Sequence, residues 1–552
     1  MAMLHSAIWI VESGNSNTTR NRLMKRVYRW GIVLAILLAL PAAIVLWLVV
    51  KSHERIIISK ETTYLTQPLR KDGSVDYVAA LNERYSQGVT PENNAAVLFW
   101  KAVGPGEIRP EYRGEYFRLL GIAPLPEKGA YFVTLSSYAT RLNDAEKDTD
   151  PKAAEKKEEQ RRSLLEQAVK RPWSAKEFPL LAGWLAANEK PLVLLVEASK
   201  RPRRYDPMLP KGGLVMGALL PALHHYCDAA RALVARAMLR LNGAQLDEAW
   251  ADLLACHRLG RLAGQGTTLI DALVGMTIDG LAYPGDQALL QHIRLAKLQV
   301  ARMRADFASL PPTCVLVEKI DVAERFMYLD GVAQIKLNPK GLAGQLWSGG
   351  TPSIPTRALV DRAAAAAADW NQILRMGNSW YDRLVEACRK PTWIQRKAAI
   401  QKVNQDLRTA FAAASGLRLS LLISPRDGTS RLVGFGLLTM LSPAVSSVAD
   451  CNDRTATQFE LTNLALALAA YRAEQGSYPA KLADLTPKYV AAIPLDPFND
   501  QALHYTRQGD GYLLYSVGVN GKDDGGKGAA DCKEGEGWDD LAIRVPAETK
   551  QK

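Results

Sequence analysis

The stretch YSVGVNGKDDGGK, Tyr515 to Lys527, sets two adjacent aspartates, Asp523 and Asp524, among four glycines. Carboxylates, amides and backbone carbonyls are the donors that a hard cation selects. Glycine lets carbonyls turn inward without a Cβ clash, and it suits a flexible surface turn equally well. The spacing is not that of an EF-hand, which needs D-x-D-x-D-G and a glutamate at the twelfth position.

Two further groups have residue types that could do chemistry. His224, His225, Cys227, Cys256 and His257 would converge on a zinc or haem-like site if their two helices pair, and packing is the competing reading. Glu318, Asp321 and Glu324 stand three apart, which on a helix keeps them near one face, as an acid–base or metal constellation requires. Lys319 and Arg325 lie beside them, so a solvated, paired face competes. The chain has no P-loop, HExxH, CxxC, GxSxG or dinucleotide-binding glycine fingerprint.

The elements that must position these residues are mostly helical. Thr90 and Pro91 suit the start of a helix through AAVLFWKAV. The charge-dense run around EKKEEQRR reads as a solvated helix face or a mobile arm. ALLPALHHYCDAARALVARAMLRL predicts one long helix, stopped by Asn242-Gly243. QLDEAWADLLACHRLGRLAG predicts a second, closed by Gly264 and Gly266, and TTLIDALVGMTIDGLAY a third, ending at Tyr283. Helix, short glycine turn, helix is the pattern of antiparallel pairs. Helical spacing continues to about Ile423, and Pro425-Arg426-Asp427-Gly428 reads as a turn and domain boundary.

With 552 residues, 48% of them apolar, the chain can bury sizeable cores and form more than one folding unit. Part of its +12 charge lies in Arg20, Arg22, Lys25, Arg26 and Arg29. These precede Gly31–Val50, twenty residues without a charge, enough to cross a hydrocarbon core about 30 Å thick. The stretch is long for a cleaved signal peptide and reads as an uncleaved anchor. The positive-inside rule places the N-terminus in the cytoplasm and exports the bulk, which for a bacterial cytoplasmic membrane means the periplasm. The basic cluster is thus a membrane signal, and no nucleic-acid motif accompanies it. A second uncharged stretch, Leu432–Ala449, contains two glycines and a proline; it reads as a buried or interfacial helix or as a second span. Cys451 and Cys532 bracket the C-terminal segment; if bridged in an oxidising compartment, they close a loop of about 80 residues, worth about 4 kcal/mol.

In that segment Leu461, Leu464, Ala465, Leu468 and Tyr471 form one apolar helix stripe, and LHYTRQGDGYLLYSV reads as a hairpin about Gln508–Gly511. AYRAEQGSYP, IPLDPFND, YLLYSVGVNGKDDGG and WDDLAI, in this order over about 451–545, resemble the soluble domain of a type II secretion major pseudopilin. The resemblance implies a long helix on a short antiparallel sheet. It also implies a calcium-binding loop, for which Asn520, Asp523, Asp524, Asp531, Asp539 and Asp540 are the available ligands. That family's processing site places glycine before phenylalanine and glutamate at the fifth position. Here Gly434-Phe435 is internal and Thr439 takes the glutamate's place, so the module reads as a tethered, borrowed domain.

The expected chain is mainly α. It has a cytoplasmic tail (1–29), a transmembrane helix (30–50), an extracytoplasmic domain of antiparallel helix pairs (51–425), an apolar connecting helix (426–450), an α+β pseudopilin-like domain (451–546) and a short tail (547–552). The expected function is a non-catalytic envelope protein acting through contacts with other envelope proteins. An accessory factor of a type II secretion or pilus-like system and an anchored enzyme using the acids or histidines are the alternatives.

Overall fold

The computed structural model describes residues 28, 55–142, 151–209, 215, 223–292, 295–337, 366–416, 424–529, 531–532 and 536–546. The anchor at Gly31–Val50 lies outside the described residues. Among those described, the chain is mainly helical, with 16 helices and a small antiparallel sheet. Helices α1 (Tyr77–Ser86), α2 (Ala95–Val103), α3 (Pro110–Leu120), α4 (Leu135–Leu142), α5 (Pro151–Ala168), α6 (Pro179–Ala187) and α7 (Glu189–Ser199) come first. The array expected in the middle of the chain follows as α8 (Leu223–Asn242), α9 (Leu246–Gly264) and α10 (Leu269–His292). Then come α11 (Lys297–Ala308), α12 (Leu316–Lys319), a π-turn at Ile320–Glu324, α13 (Arg325–Leu337), α14 (Trp370–Cys388), α15 (Trp393–Gly416) and α16 (Pro425–Gln475).

Three local expectations change. The cap of α2 is Asn94, whose side chain accepts from Ala96 N at 3.1 Å, and Thr90 lies one turn upstream. The turn between α8 and α9 takes its left-handed residue at Ala244 (φ 57°) rather than at Gly243. Helix α10 does not stop at Tyr283. It runs on through Pro284 to His292, leaving the Gly280 carbonyl without its regular helical donor. The charged run around EKKEEQRR is the helix α5, with Glu158 beside Arg161 and Arg162 at 3.2 and 3.8 Å.

Helices α9 and α10 meet backbone to backbone. A Cβ on Gly260 would lie 2.6 Å from Asp279 N and 2.8 Å from Gly275 O, and one on Gly275 would lie 2.5 Å from Gly264 N. Only glycine permits this approach, and it holds the polar residues of α10 against α9.

The stretch read as a turn at Pro425–Gly428 opens a 51-residue helix instead. Proline suits the first helical position and Asp427 the first turn, where the dipole favours a carboxylate, so the same residues fit a helix start. Helix α16 ends at Gly476 (φ 79°). Its first half buries Val433, Leu438, Val445, Val448 and Ala449 in a core with α1 and α12–α15. The uncharged stretch Leu432–Ala449 is therefore a core-facing helix, and among the described residues no helix is long and apolar enough to cross a membrane. The second half buries Leu461, Leu464, Ala465 and Leu468 in another core, shared with α2, α8–α11 and the sheet. The sheet strands are β3 (His504–Gln508), β4 (Gly511–Ser516) and β5 (Leu541–Val545) in the order β3-β4-β5; β1 (Leu495–Asp496) pairs separately with β2 (Gln501–Ala502). The hairpin turns at Gly509-Asp510, with Gln508 opposite Gly511.

Gly260→Ala is expected to destabilise the chain by about 3 kcal/mol or more, because a methyl there meets backbone on both sides. Gly331→Ala in α13, where a methyl would meet nothing, should stabilise by about 0.5–1 kcal/mol. Denaturant midpoints of the two variants check the contrast.

Candidate functional site

The residues singled out from the sequence do not form one site. Helices α8 and α9 pack together as expected, but the histidines and cysteines serve different partners. His225 Nε2 lies 3.7 Å from Glu107, and Cys256 Sγ donates to Ile278 O. The side chain of His224 is outside the described residues, and Cys227 is half-buried. The three acids fan apart because the π-turn inserts between them. Glu318 pairs with Arg84 at 2.9 Å on the surface, and Asp321 pairs with Arg325 at 2.7 Å. Glu324 is buried, with its carboxyl pushed up to about 7 by desolvation.

The glycine-acid loop draws most of its expected ligands together. Asn520 Nδ2 donates to Asp524 Oδ2 at 3.0 Å, which also accepts from Asp539 N at 3.2 Å. Asp540 Oδ2 accepts from Gly526 N and Asp524 N, and Asp539 pairs with Arg454. Asp523 turns away to accept from Tyr515 OH and Gly525 N, and Asp531 accepts from Gly528 N. Among the described residues no group of three or more His, Cys, Asp or Glu side chains is arranged to hold a metal ion. Cys451, in α16, and Cys532, in the loop, are not bridged; Cys532 Sγ accepts from Trp538 N. The loop's anchor is Asp496, fully buried, which accepts from Phe498 N, Ser516 Oγ and Val517 N.

The most concentrated buried chemistry lies between α9 and α10. His257 Nδ1 is 2.7 Å from Asp279 Oδ1, and Nε2 is 2.9 Å from Asp286 Oδ2. Arg261 Nη2 lies 3.1 Å from Asp279 Oδ2, which also accepts from Tyr283 OH at 3.1 Å. Asp279, Tyr283 and Asp286 are four and three residues apart, so they share one face of α10. Phe307 of α11 packs edge-on against the His257 ring, and Phe459 of α16 stacks on Phe307 and beneath Arg261. Burial opposes a charge on His257, but Asp286 and Asp279 outweigh it and raise its pKa to about 9. Two cations and two carboxylates then balance. An imidazolium with both N–H groups engaged has no lone pair for proton abstraction. The cluster is a lock between helices.

Sequence reasoning missed Asp279, Asp286, Arg261 and Tyr283. Their signal was polar residues recurring on the inward face of a helix otherwise rich in apolar side chains. A cavity of about 440 Å³ adjoins the cluster. Tyr283 forms part of its wall together with Gly280, Pro284, Lys170, Arg454 and Ala542. Comparison with protein-family models, curated proteins and solved structures finds no match.

The folded chain holds the His257 proton to pH about 9, against about 6.5 for an ordinary histidine. Between these values the folded state binds more protons than the unfolded one. The pairing therefore stabilises fully below about pH 6.5, and that stabilisation is lost as pH rises through about 9. The expected loss is on the order of 2–3 kcal/mol. Denaturation curves from pH 6 to 9.5 should show this fall in the wild type and lack it in His257→Gln.

Proposed function

We propose that the protein is a membrane-anchored, non-catalytic component of a bacterial cell envelope, working through contacts with other proteins, its bulk on the periplasmic side. One observation carries this reading: the side chains with catalytic potential are closed into buried ion pairs, while the C-terminal sheet is fixed to the helical body by a single continuous helix. Such a build presents a surface rigidly and offers no reacting centre at His257. The enzyme alternative loses its support at the Glu318, Asp321 and Glu324 group, which serves three different partners. The resemblance to a major pseudopilin supports the narrower reading of an accessory factor that sets its C-terminal module against true pseudopilins. Photo-crosslinkers at Leu495, exposed on the module, and at Val193, exposed on α7, are expected to capture envelope proteins in intact cells. Protein that is freely soluble after lysis, or that captures nothing from either position, overturns the reading.

Calcium ordering of the glycine-acid loop is part of this proposal. Its support is Asp540, whose buried Oδ1 has no hydrogen-bond partner and whose carboxyl burial raises to about 6. A cation beside that oxygen would take up its unmet charge, with Asn520, Asp523 and Asp524 as neighbouring donors. Millimolar calcium is expected to raise the melting temperature of the full chain relative to EGTA, and Asp540→Asn to abolish the difference. Equal melting with and without calcium removes calcium from the account.

A further inference from the structure

The outer edge of β5 is covered at every second residue except one. β5 is an edge strand, paired on one side with β4. Backbone groups alternate in direction along a strand, so Asp540, Ala542 and Arg544 share the outward side. Asp540 N donates to Lys527 O at 3.1 Å. Arg544 O accepts from Gln291 Nε2 at 2.6 Å and Gln287 Nε2 at 3.4 Å, both on α10. Ala542 lies between these two covered positions. It is half-exposed, and among the described residues its outward N–H and C=O have no partner.

That opening faces the cavity of about 440 Å³, which is within the range of ligand-sized clefts, about 300–1,000 Å³. The charged residues in its wall are Lys170 and Arg454, with no carboxylate among them. Arg454 gives one nitrogen to Asp539. Gly280, also in the wall, carries the carbonyl that Pro284 cannot serve as donor, so an unsatisfied acceptor stands opposite the strand. Natural sheets cover their edges with side chains or loops. Here the cover is interrupted for one residue, where a cationic cavity begins.

We propose that this gap receives an extended segment of a partner protein carrying an acidic side chain. One residue of the segment exchanges N–H···O=C bonds with Ala542, and the neighbouring carboxylate lies against Lys170 and Arg454. This is strand addition limited to a short register, with specificity from charge. The inference rests on the reading of the protein as one that works through protein contacts, and it names the chemistry of the partner.

The test uses the full chain in detergent and fluorescein-labelled hexapeptides of alternating valine and threonine with one central glutamate, glutamine or lysine. The glutamate peptide is expected to bind most tightly in fluorescence anisotropy and the lysine peptide at least tenfold more weakly. Ala542→Pro removes only the outward N–H, which an edge strand tolerates, and should weaken glutamate-peptide binding about tenfold. N-methylation scanned along the peptide tests the same bonds without altering the protein, and one position should lose binding by a similar factor. Equal binding of all three peptides, or binding indifferent to both N-methylation and Ala542→Pro, overturns the site. Crosslinks in cells that persist in Ala542→Pro, without peptide binding in vitro, also overturn it while leaving the protein-contact reading intact.

Discussion

A single helix has to satisfy two cores at once, and the rest of the molecule is arranged around that constraint. Helix α16 covers 51 residues, roughly 75 Å at 1.5 Å per residue. Its first half presents Val433, Leu438, Val445 and Val448 to α14 and α15, and its second half presents Leu461, Leu464 and Leu468 to α10, α11 and the sheet. Neither half carries its stripe alone: the apolar residues before and after Asp450–Arg454 serve different neighbours. At that junction polar pairs take over. Arg396 of α15 meets Asp453 at 2.6 Å, and Arg454 meets Asp539 ahead of β5. The helix thus carries the orientation of one core into the other, and a rotation of either half would break packing in both.

Charge is used inside this body as a fastener. Buried ions cost several kcal/mol each in desolvation unless paired and hydrogen-bonded, and the pairs here are matched across elements. Arg236 holds Asp252 between α8 and α9; Arg204 reaches Asp206, Asp271 and the Ala263 carbonyl; Arg325 reaches Asp321, Asp382 and the Asn378 carbonyl. His257 is the only titrating member of this set near neutral pH, held between two carboxylates at the place where glycines bring α9 and α10 into backbone contact. Pairs of this kind add less net stability than apolar packing of equal volume. They penalise any slip of one helix along another, because a slip leaves a charge buried and alone.

The helical array was legible in the sequence because glycine and apolar periodicity punctuate it locally, and so was the hairpin at Gly509-Asp510. The continuity of α16 was hidden because proline followed by Asp and Gly is equally consistent with a turn and with a first helical turn. Pro284 misled in the same way: packing on both faces carries α10 through it. The fanning of Glu318, Asp321 and Glu324 depends on a π-turn, which leaves no periodic signature. The partners of His257 were out of reach for a different reason. An ion pair between helices depends on their mutual rotation, which Gly260, Gly264 and Gly275 set by close approach, and no local propensity encodes it. In the glycine-acid loop the composition identified residues that do gather, but not that Asp523 faces Tyr515 while Asp540 turns inward.

The boundary at Pro425 expected from sequence would have made the C-terminal α+β segment a module that could move as a unit. Its sheet instead packs into the same core as α8–α11, with Leu514, Ile543 and Val545 beside Leu464 and Leu468. Gln287 and Gln291 on α10 then cover part of the β5 edge from outside. A separable domain would have to protect that edge by itself. Because α10 supplies the cover, its helical path decides which positions remain open, and that path includes the irregular turn at Pro284. The gap at Ala542 is therefore a joint product of the helical body and the sheet, and neither part would form it alone.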